Sequence, residues 1–258
     1  MSISKNSEHD LAAMLNRVKK TQELLASNQG NKKVYDSFNI NNRDIEICYS
    51  AETHGGGGYV LDSLGRELDL AEINPKKILE CFCGPVFFGF YSLAKFTNAE
   101  LVLTDINPKI ASLVEETISK NDFQNVQLYI GNCLEKVPPE PFDLVLANPP
   151  WWSEETAHLK KMVEILDPNI RDILFLDKDF NSHKLFFKDL QKFIHDQSVI
   201  YLLEGEKMGE ALVPLAEAYG FSATTKRVDF LESHDEIPKE SLPIWIILKK
   251  NPSFNVAF

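Results

Sequence analysis

Asn148-Pro149-Pro150-Trp151 is the segment of this chain whose residue types and spacing point most directly to chemistry. It follows Phe142-Asp143-Leu144-Val145-Leu146-Ala147, which reads as a short buried strand. At a strand end such a run is suited to holding one planar nitrogen. The Asn148 side-chain carbonyl and a proline carbonyl can accept from an amino group, and the Trp151 ring can stack on its π-face. The two prolines fix φ and bias the preceding residue toward extended geometry, so the acceptors point one way. Proline has no N–H of its own, so no neighbouring donor competes for those carbonyls. Trp152 reads as a packing residue beside this wall.

Three other strand ends carry residues that could meet a ligand. The first is Glu80-Cys81-Phe82-Cys83-Gly84-Pro85-Val86-Phe87-Phe88-Gly89, a strand-to-helix turn with a glycine where a ligand could touch backbone. The second is Asp105, ahead of Ile106-Asn107-Pro108, roughly twenty residues on, the spacing of an acid that accepts from ribose hydroxyls. The third is Asn132, between Gly131 and Cys133, whose amide could meet an adenine edge. Each has a local alternative: a plain turn at Gly84, a helix start at Asp105, an Asx-turn at Asn132. Three in order at successive strand ends make the ligand reading the stronger one.

These residues need a scaffold that brings strand ends together. From Pro75 onward strands and helices alternate. Strands are expected at Lys77–Cys83, Glu100–Thr104, Val126–Ile130, Phe142–Ala147, Ser198–Leu203, Phe221–Phe230 and Leu242–Lys249. Helical stripes run through Phe87, Phe90, Tyr91 and Ala94, through Ile110, Leu113, Val114, Thr117 and Ile118, through Phe186, Leu190, Phe193 and Ile194, and through Met208, Leu212, Leu215 and Tyr219. Asn107 caps the second helix, with Pro108 at its first position. The alternation implies an α/β fold, a doubly wound, mostly parallel Rossmann-like sheet whose ligands bind at the carboxyl ends of the strands.

Residues 1–72 read as an appendage, a helix through Leu11, Met14, Leu15, Val18 and Leu25 followed by a hairpin or lid. In that lid, strand Asp44–Tyr49 is expected to pair with Tyr59-Val60-Leu61 across the mobile glycine run Gly55–Gly58. No Lys-Ser/Thr follows those glycines, so they do not form a P-loop. His54 reads as a solvated loop residue. Residues 73–258 read as the main domain, with a charged insertion at 153–180 of the kind that shapes substrate choice.

Composition narrows the functional classes. With 258 residues, 44% hydrophobic and 25% charged, the chain is an ordinary folded protein. A formal charge of −11 and a pI near 5.1 argue against unassisted nucleic-acid binding, which needs clustered Lys and Arg. Cys48, Cys81, Cys83 and Cys133 lack metal or redox spacing, and no metal ligand is expected. The most apolar run, Cys81–Phe96, is too interrupted to span a membrane. A reduced cytoplasmic setting is expected.

Gly84, Asp105 and Asn132 in order, closed by Asn148-Pro149-Pro150-Trp151, resemble the class I S-adenosylmethionine-dependent methyltransferases. Within them the chain is similar to the HemK-like, or methyltransferase small domain, branch, over roughly Pro75 to Lys249. The resemblance implies S-adenosyl-L-methionine as cofactor. Its binding set would be Glu80, Cys83, Gly84, Asp105, Ile106, Asn132, Cys133 and Asn148, with Glu80 and the Cys83-Gly84 turn near the methionine portion, Asp105 on the ribose and Asn132 on the adenine amine. The catalytic set would be Asn148, Pro149 and Trp151, acting on an amine or amide nitrogen of a small molecule, peptide or protein side chain.

Departures from the family pattern mark the donor side. Phe82 and Val86 stand where the pattern has glycines, and a β-branched Val86 is expected to narrow the site and resist positive φ. Asn132 stands where an acid is usual, and the Pro-Arg-Pro-Glu-Thr segment that release-factor glutamine methyltransferases commonly carry is missing. The alternatives are methylation of an adenine amine in RNA or DNA, a non-methylating use of the same cofactor in biosynthesis, and a non-catalytic scaffold.

Overall fold

The structure is a computed structural model, and it describes residues 31–53, 58–153, 168–228 and 242–253. The N-terminal helix, His54, glycines 55–57 and residues 154–167 of the charged insertion lie outside those residues.

The centre is a seven-stranded sheet. In chain order its strands are β3 (Lys77–Cys81), β4 (Glu100–Asp105), β5 (Val126–Ile130), β6 (Phe142–Ala147), β7 (Ile194–Gly205), β8 (Phe221–Arg227) and β9 (Pro243–Lys250). They lie side by side as β5-β4-β3-β6-β7-β9-β8, and β9 alone runs antiparallel to its neighbours. The order reverses between β3 and β6, the place where a doubly wound sheet leaves a crevice for ligands. The inner parallel strands are apolar along their length because helices cover both faces. Ile78, Leu101, Leu103, Leu144, Leu146 and Trp245 face one core, and Leu79, Val102, Val145, Ile200, Leu202 and Ile246 face the other.

Helices α1 (Leu61–Leu70), α2 (Phe87–Lys95) and α3 (Ala111–Asn121) precede β6. Helices α4 (Pro168–Phe175), α5 (Asn181–Leu190) and α6 (Glu206–Ala218) follow it. Asn107 caps the short 3-10 turn Pro108–Ile110 that leads into α3, its side chain accepting from the Lys109 N–H at 3.1 Å. α5 ends at Leu190, and β7 begins at Ile194 rather than Ser198. Phe193 and Ile194 are buried not as helix positions but as the entry to β7, where the Phe142 N–H donates to the Phe193 carbonyl at 2.8 Å.

The hairpin differs from the one expected. Asp44–Tyr49 falls within β2 (Arg43–Tyr49), whose partner is β1 (Val34–Ile40) and not 59–61. The connection is Asn41-Asn42, with φ of 52° and 60°, the left-handed pair that matches strand twist in a two-residue turn. Gly58–Val60 is a 3-10 turn that opens α1, whose Leu61, Leu64 and Leu68 recur at helical spacing. Three apolar residues were too short a run to separate strand from helix, and the leucine period decides it. The hairpin packs on α2 and α3 through Phe38 against Tyr91, Tyr49 against Phe87, and a Cys48 N–H donated to Thr117 Oγ1 at 2.9 Å. Residues 34–53 and 58–70 therefore contribute to one core with the sheet face that carries Trp245.

Trp245 is fully buried between Phe88 and Tyr201, and its indole N–H donates to Ser63 Oγ of α1 at 2.9 Å. Trp245→Ala should cost about 3–5 kcal/mol in urea unfolding. Leu70→Ala, at a residue 68% exposed, should stay within about 0.5 kcal/mol. Equal effects at the two positions would contradict this assignment of the core.

Candidate active site

The crevice at the strand switch is a solvent-open cleft of about 530 Å³. Its walls come from the ends of β3, β4 and β6, from Thr53 after the hairpin, and from Ile173 and Leu174 of α4. The turn after β3 is unusual. Phe82, Gly84 and Val86 all take left-handed backbone, with φ of 57°, 45° and 62°. At Gly84 a Cβ would stand 3.0 Å from the Thr53 carbonyl oxygen, so the turn and the post-hairpin segment meet with room only for glycine.

Two carboxylates hold this turn. Glu80 is buried, and its Oε2 accepts the Gly89 N–H at 2.8 Å, serving the free N-terminal end of α2. Burial pushes the Glu80 carboxyl well above its usual range, against the pull of the Gly89 and Phe88 N–H groups. Asp105 accepts the Gly84 N–H on Oδ2 and the Asn107 N–H on Oδ1, both at 2.8 Å. Burial raises Asp105 above an ordinary aspartate while these N–H groups pull it down. Asp105 thus ties the β3 turn to the β4 turn, and a carboxylate with about four acceptor sites keeps capacity for another donor beside the Gly84, Asn107 and Ile106 N–H groups. Burial also pushes the Cys83 thiol well up, leaving it neutral at the cleft wall.

Val86 corrects the expectation made for it. It does adopt positive φ, as the residue ahead of α2, and its side chain is fully buried in the core beneath the turn. Left-handed backbone costs a non-glycine residue roughly 1–2 kcal/mol, and burying a valine returns about 1.5–3 kcal/mol. The burial wins, and Val86 is not among the cleft-lining residues.

At the end of β6, Asn148 and Pro150 line the cleft while Pro149 is buried. The Trp151 indole N–H donates to Asn148 Oδ1 and to the Leu203 carbonyl of β7, each at 3.1 Å. Indole nitrogen only donates, so the Asn148 atom facing it must be the carbonyl oxygen. That fixes the Asn148 amide and leaves one Oδ1 lone pair unused by the indole.

Of the residues expected from sequence, Glu80, Cys83, Gly84, Asp105, Ile106 and Asn148 come together around the cleft. Asn132, Cys133, Pro149 and Trp151 stand outside its lining. Asn132 is exposed, and Cys133 is buried in the opposite core with its thiol toward the Ser182 carbonyl at 3.6 Å. Sequence reasoning missed Thr53, Phe87, Phe88, Ile173 and Leu174 as cleft walls. The Ile173-Leu174-Phe175 run inside a charged segment was the available signal for α4.

It also missed a buried charged cluster behind the motif. His183 Nδ1 meets Asp177 Oδ2 at 2.5 Å and its Nε2 meets Glu204 Oε1 at 2.9 Å, all three residues at most 2% exposed. Burial disfavours the charge on His183, but the Glu204 and Asp177 carboxylates outweigh it and raise the imidazole to about 9. Burial lifts Glu204 to about 7 against the pull of His183.

The sheet order, with a crevice at its switch point, is that of the class I S-adenosylmethionine-dependent methyltransferase fold. Residues 63–171 match the family described as "Methyltransferase small domain". A "Bifunctional methyltransferase" of Rickettsia bellii is 24% identical over 199 residues, 76% of this chain and 35% of that protein. A "Release factor glutamine methyltransferase" of Francisella tularensis subsp. tularensis is 20% identical over 166 residues, covering 64% of this chain and 58% of the relative. The chain spans about a third of the length of its bifunctional relatives. Among solved structures, a T. thermophilus 16S rRNA methyltransferase in complex with AdoMet and guanosine superposes with a TM-score of 0.53 at 11% identity, over 85% of this chain and 50% of that one. No described helix is long and apolar enough to cross a membrane, and among the described residues no cluster suits a metal ion.

The His183 cluster has a testable sign. A histidine raised from about 6.5 to about 9 on folding stabilises the protein fully below the lower value, and that contribution is lost as pH rises through the upper one. The wild type should therefore lose more melting temperature between about pH 6.5 and pH 9 than His183→Gln does. Parallel melting curves for the two proteins would show that His183 is not charged in the folded state.

Proposed function

We propose that this chain is an S-adenosylmethionine-dependent N-methyltransferase acting on an amine or amide nitrogen of a protein side chain, peptide or small molecule. The observation that carries this reading is Asn148. Its carbonyl, locked by the Trp151 indole, sits on the same cleft as Gly84 and Asp105. An acceptor amino group can donate to the remaining Oδ1 lone pair, which turns its own lone pair in a defined direction.

The residues present fit the cofactor. Gly84 offers a left-handed turn with no side chain and Asp105 has acceptor capacity for hydroxyl groups. Ile106, an apolar side chain 50% exposed over the cleft, suits a flat ring, and the exposed Asn132 lies one strand further along the expected adenine side. When bound, S-adenosylmethionine supplies a methyl group on a sulfonium that is already activated. The chain's task is then positioning and exclusion of water, not acid–base work. Phe82, Phe87, Phe88, Ile173 and Leu174 give the cleft apolar walls. Trp151 orients Asn148, and Pro150 lines the cleft beside it.

Names of relatives support both protein and RNA acceptors in this class. The −11 charge of this chain favours the protein or small-molecule side, since a phosphate track needs clustered cations. We place the protein in the cytoplasm, where its four buried free thiols stay reduced.

Calorimetry with S-adenosylmethionine and S-adenosylhomocysteine should give saturable binding, and no heat at millimolar ligand would refute the reading. With methyl-labelled cofactor and fractionated cell extract, label should enter protein or small molecules. Asn148→Ala should lower that incorporation by about 100-fold or more while leaving cofactor affinity nearly intact. Val86→Gly should not tighten cofactor binding, because the Val86 side chain lies in the core. Tighter binding would return Val86 to the cleft wall.

A further inference from the structure

We infer that Asp177, His183 and Glu204 are positioning residues that set the Trp151–Asn148 pair. The inference rests on the reading of Asn148 as the side chain that holds the acceptor nitrogen. The two tryptophans of the motif are held from two sides. Trp151 gives its indole N–H to the carbonyl of Leu203, the residue before Glu204 on β7. Trp152 pairs with the segment after α4. Its N–H donates to the Phe175 carbonyl at 3.0 Å, and its carbonyl accepts the Asp177 N–H at 2.7 Å.

The His183 imidazole closes the circuit between those two sides. Asp177 Oδ2 takes Nδ1, and Glu204 Oε1 takes Nε2. Asp177 also accepts the Ser182 N–H at 2.7 Å and the His183 N–H at 3.1 Å, so it is fixed at the start of α5. The contacts therefore form a ring from Trp151 through Leu203, Glu204, His183 and Asp177 to Trp152 and back. Around the imidazole the charged groups are Asp177 from the segment after α4 and Glu204 from β7, and the rings of Phe180 and Phe187 pack against it. Glu204 Oε2 is buried without a hydrogen-bond partner among the described residues, so the neighbouring imidazole is the group that answers its charge.

Both imidazole nitrogens face carboxylate oxygens, an arrangement that suits a cation donating from each. If the proton leaves, one nitrogen lone pair faces a carboxylate and the two sides of the ring repel. Leu203 and Asp177 then no longer hold a fixed separation, and the indole that orients Asn148 shifts with them.

The test uses the full chain labelled with 5-fluorotryptophan. Its three tryptophans give three fluorine signals, assigned by Trp151→Phe and Trp152→Phe. The Trp151 signal should shift as pH rises through about 9, while Trp245, bonded to Ser63 on α1, should not. His183→Gln should displace the Trp151 signal at pH 7 and abolish its titration. Glu204→Gln, which keeps a hydrogen-bond acceptor without the charge, should lower the midpoint. A Trp151 signal that does not titrate in the wild type, or that moves only together with Trp245, overturns the inference. The wild-type titration and Glu204→Gln decide it even if His183→Gln fails to fold. A Trp151 titration in a protein that binds no S-adenosylmethionine would sink the methyl-transfer reading while leaving the coupling in place.

Discussion

The cleft depends on where its backbone N–H groups go. Parallel strands that end side by side leave turns whose amides have no ladder partner, and burial makes an unpaired amide costly. Here two side chains absorb that demand. Glu80 takes the start of α2, and Asp105 links the turn after β3 to the turn after β4. Because Asp105 spans both turns, the floor of the site behaves as one piece. The left-handed backbone at Phe82, Gly84 and Val86 is the cost of bending the chain between these two anchors, and the side chain of Val86, inside the core, offsets part of it.

The acceptor side is organised by a different logic. Asn148 is aimed by a donor-only indole, and that indole is aimed in turn by a strand carbonyl. Trp151 therefore acts through its edge in this structure, whereas the sequence alone pointed to its face. The ring packs partly buried against the core that carries Trp245 and stands outside the cleft lining, so its edge is the part that serves the site.

Legibility from sequence followed physical locality. Most strands of the main sheet were readable because apolar runs bounded by turn residues mark them, whereas the first residues of β7 read as the end of a helix. Glu80, Gly84, Asp105 and Asn148 were readable because strand ends in such sheets converge. The pairing of β2 was not, because β1 is mostly polar on its outer face and its turn signal is Asn41-Asn42 without a glycine. Thr53, Ile173 and Leu174 reach the cleft only through tertiary packing, which no local pattern announces. The same holds for the Asp177–His183–Glu204 cluster, whose members are unremarkable along the chain and meet only once α5 lies against β7. Val86 shows the opposite error, in which a residue type was read as an obstacle although the fold turns its side chain away.

The antiparallel strand β9 lies between β7 and β8 although it follows both in the chain. During synthesis, β8 leaves the ribosome before the strand that joins it to the sheet exists. Until residues 243–250 emerge, β7 presents an open edge and the pocket for Trp245 under α1 stays unfilled. The single strand β9 thus makes two joins at once: it ties β8 to the sheet and carries Trp245 into the core.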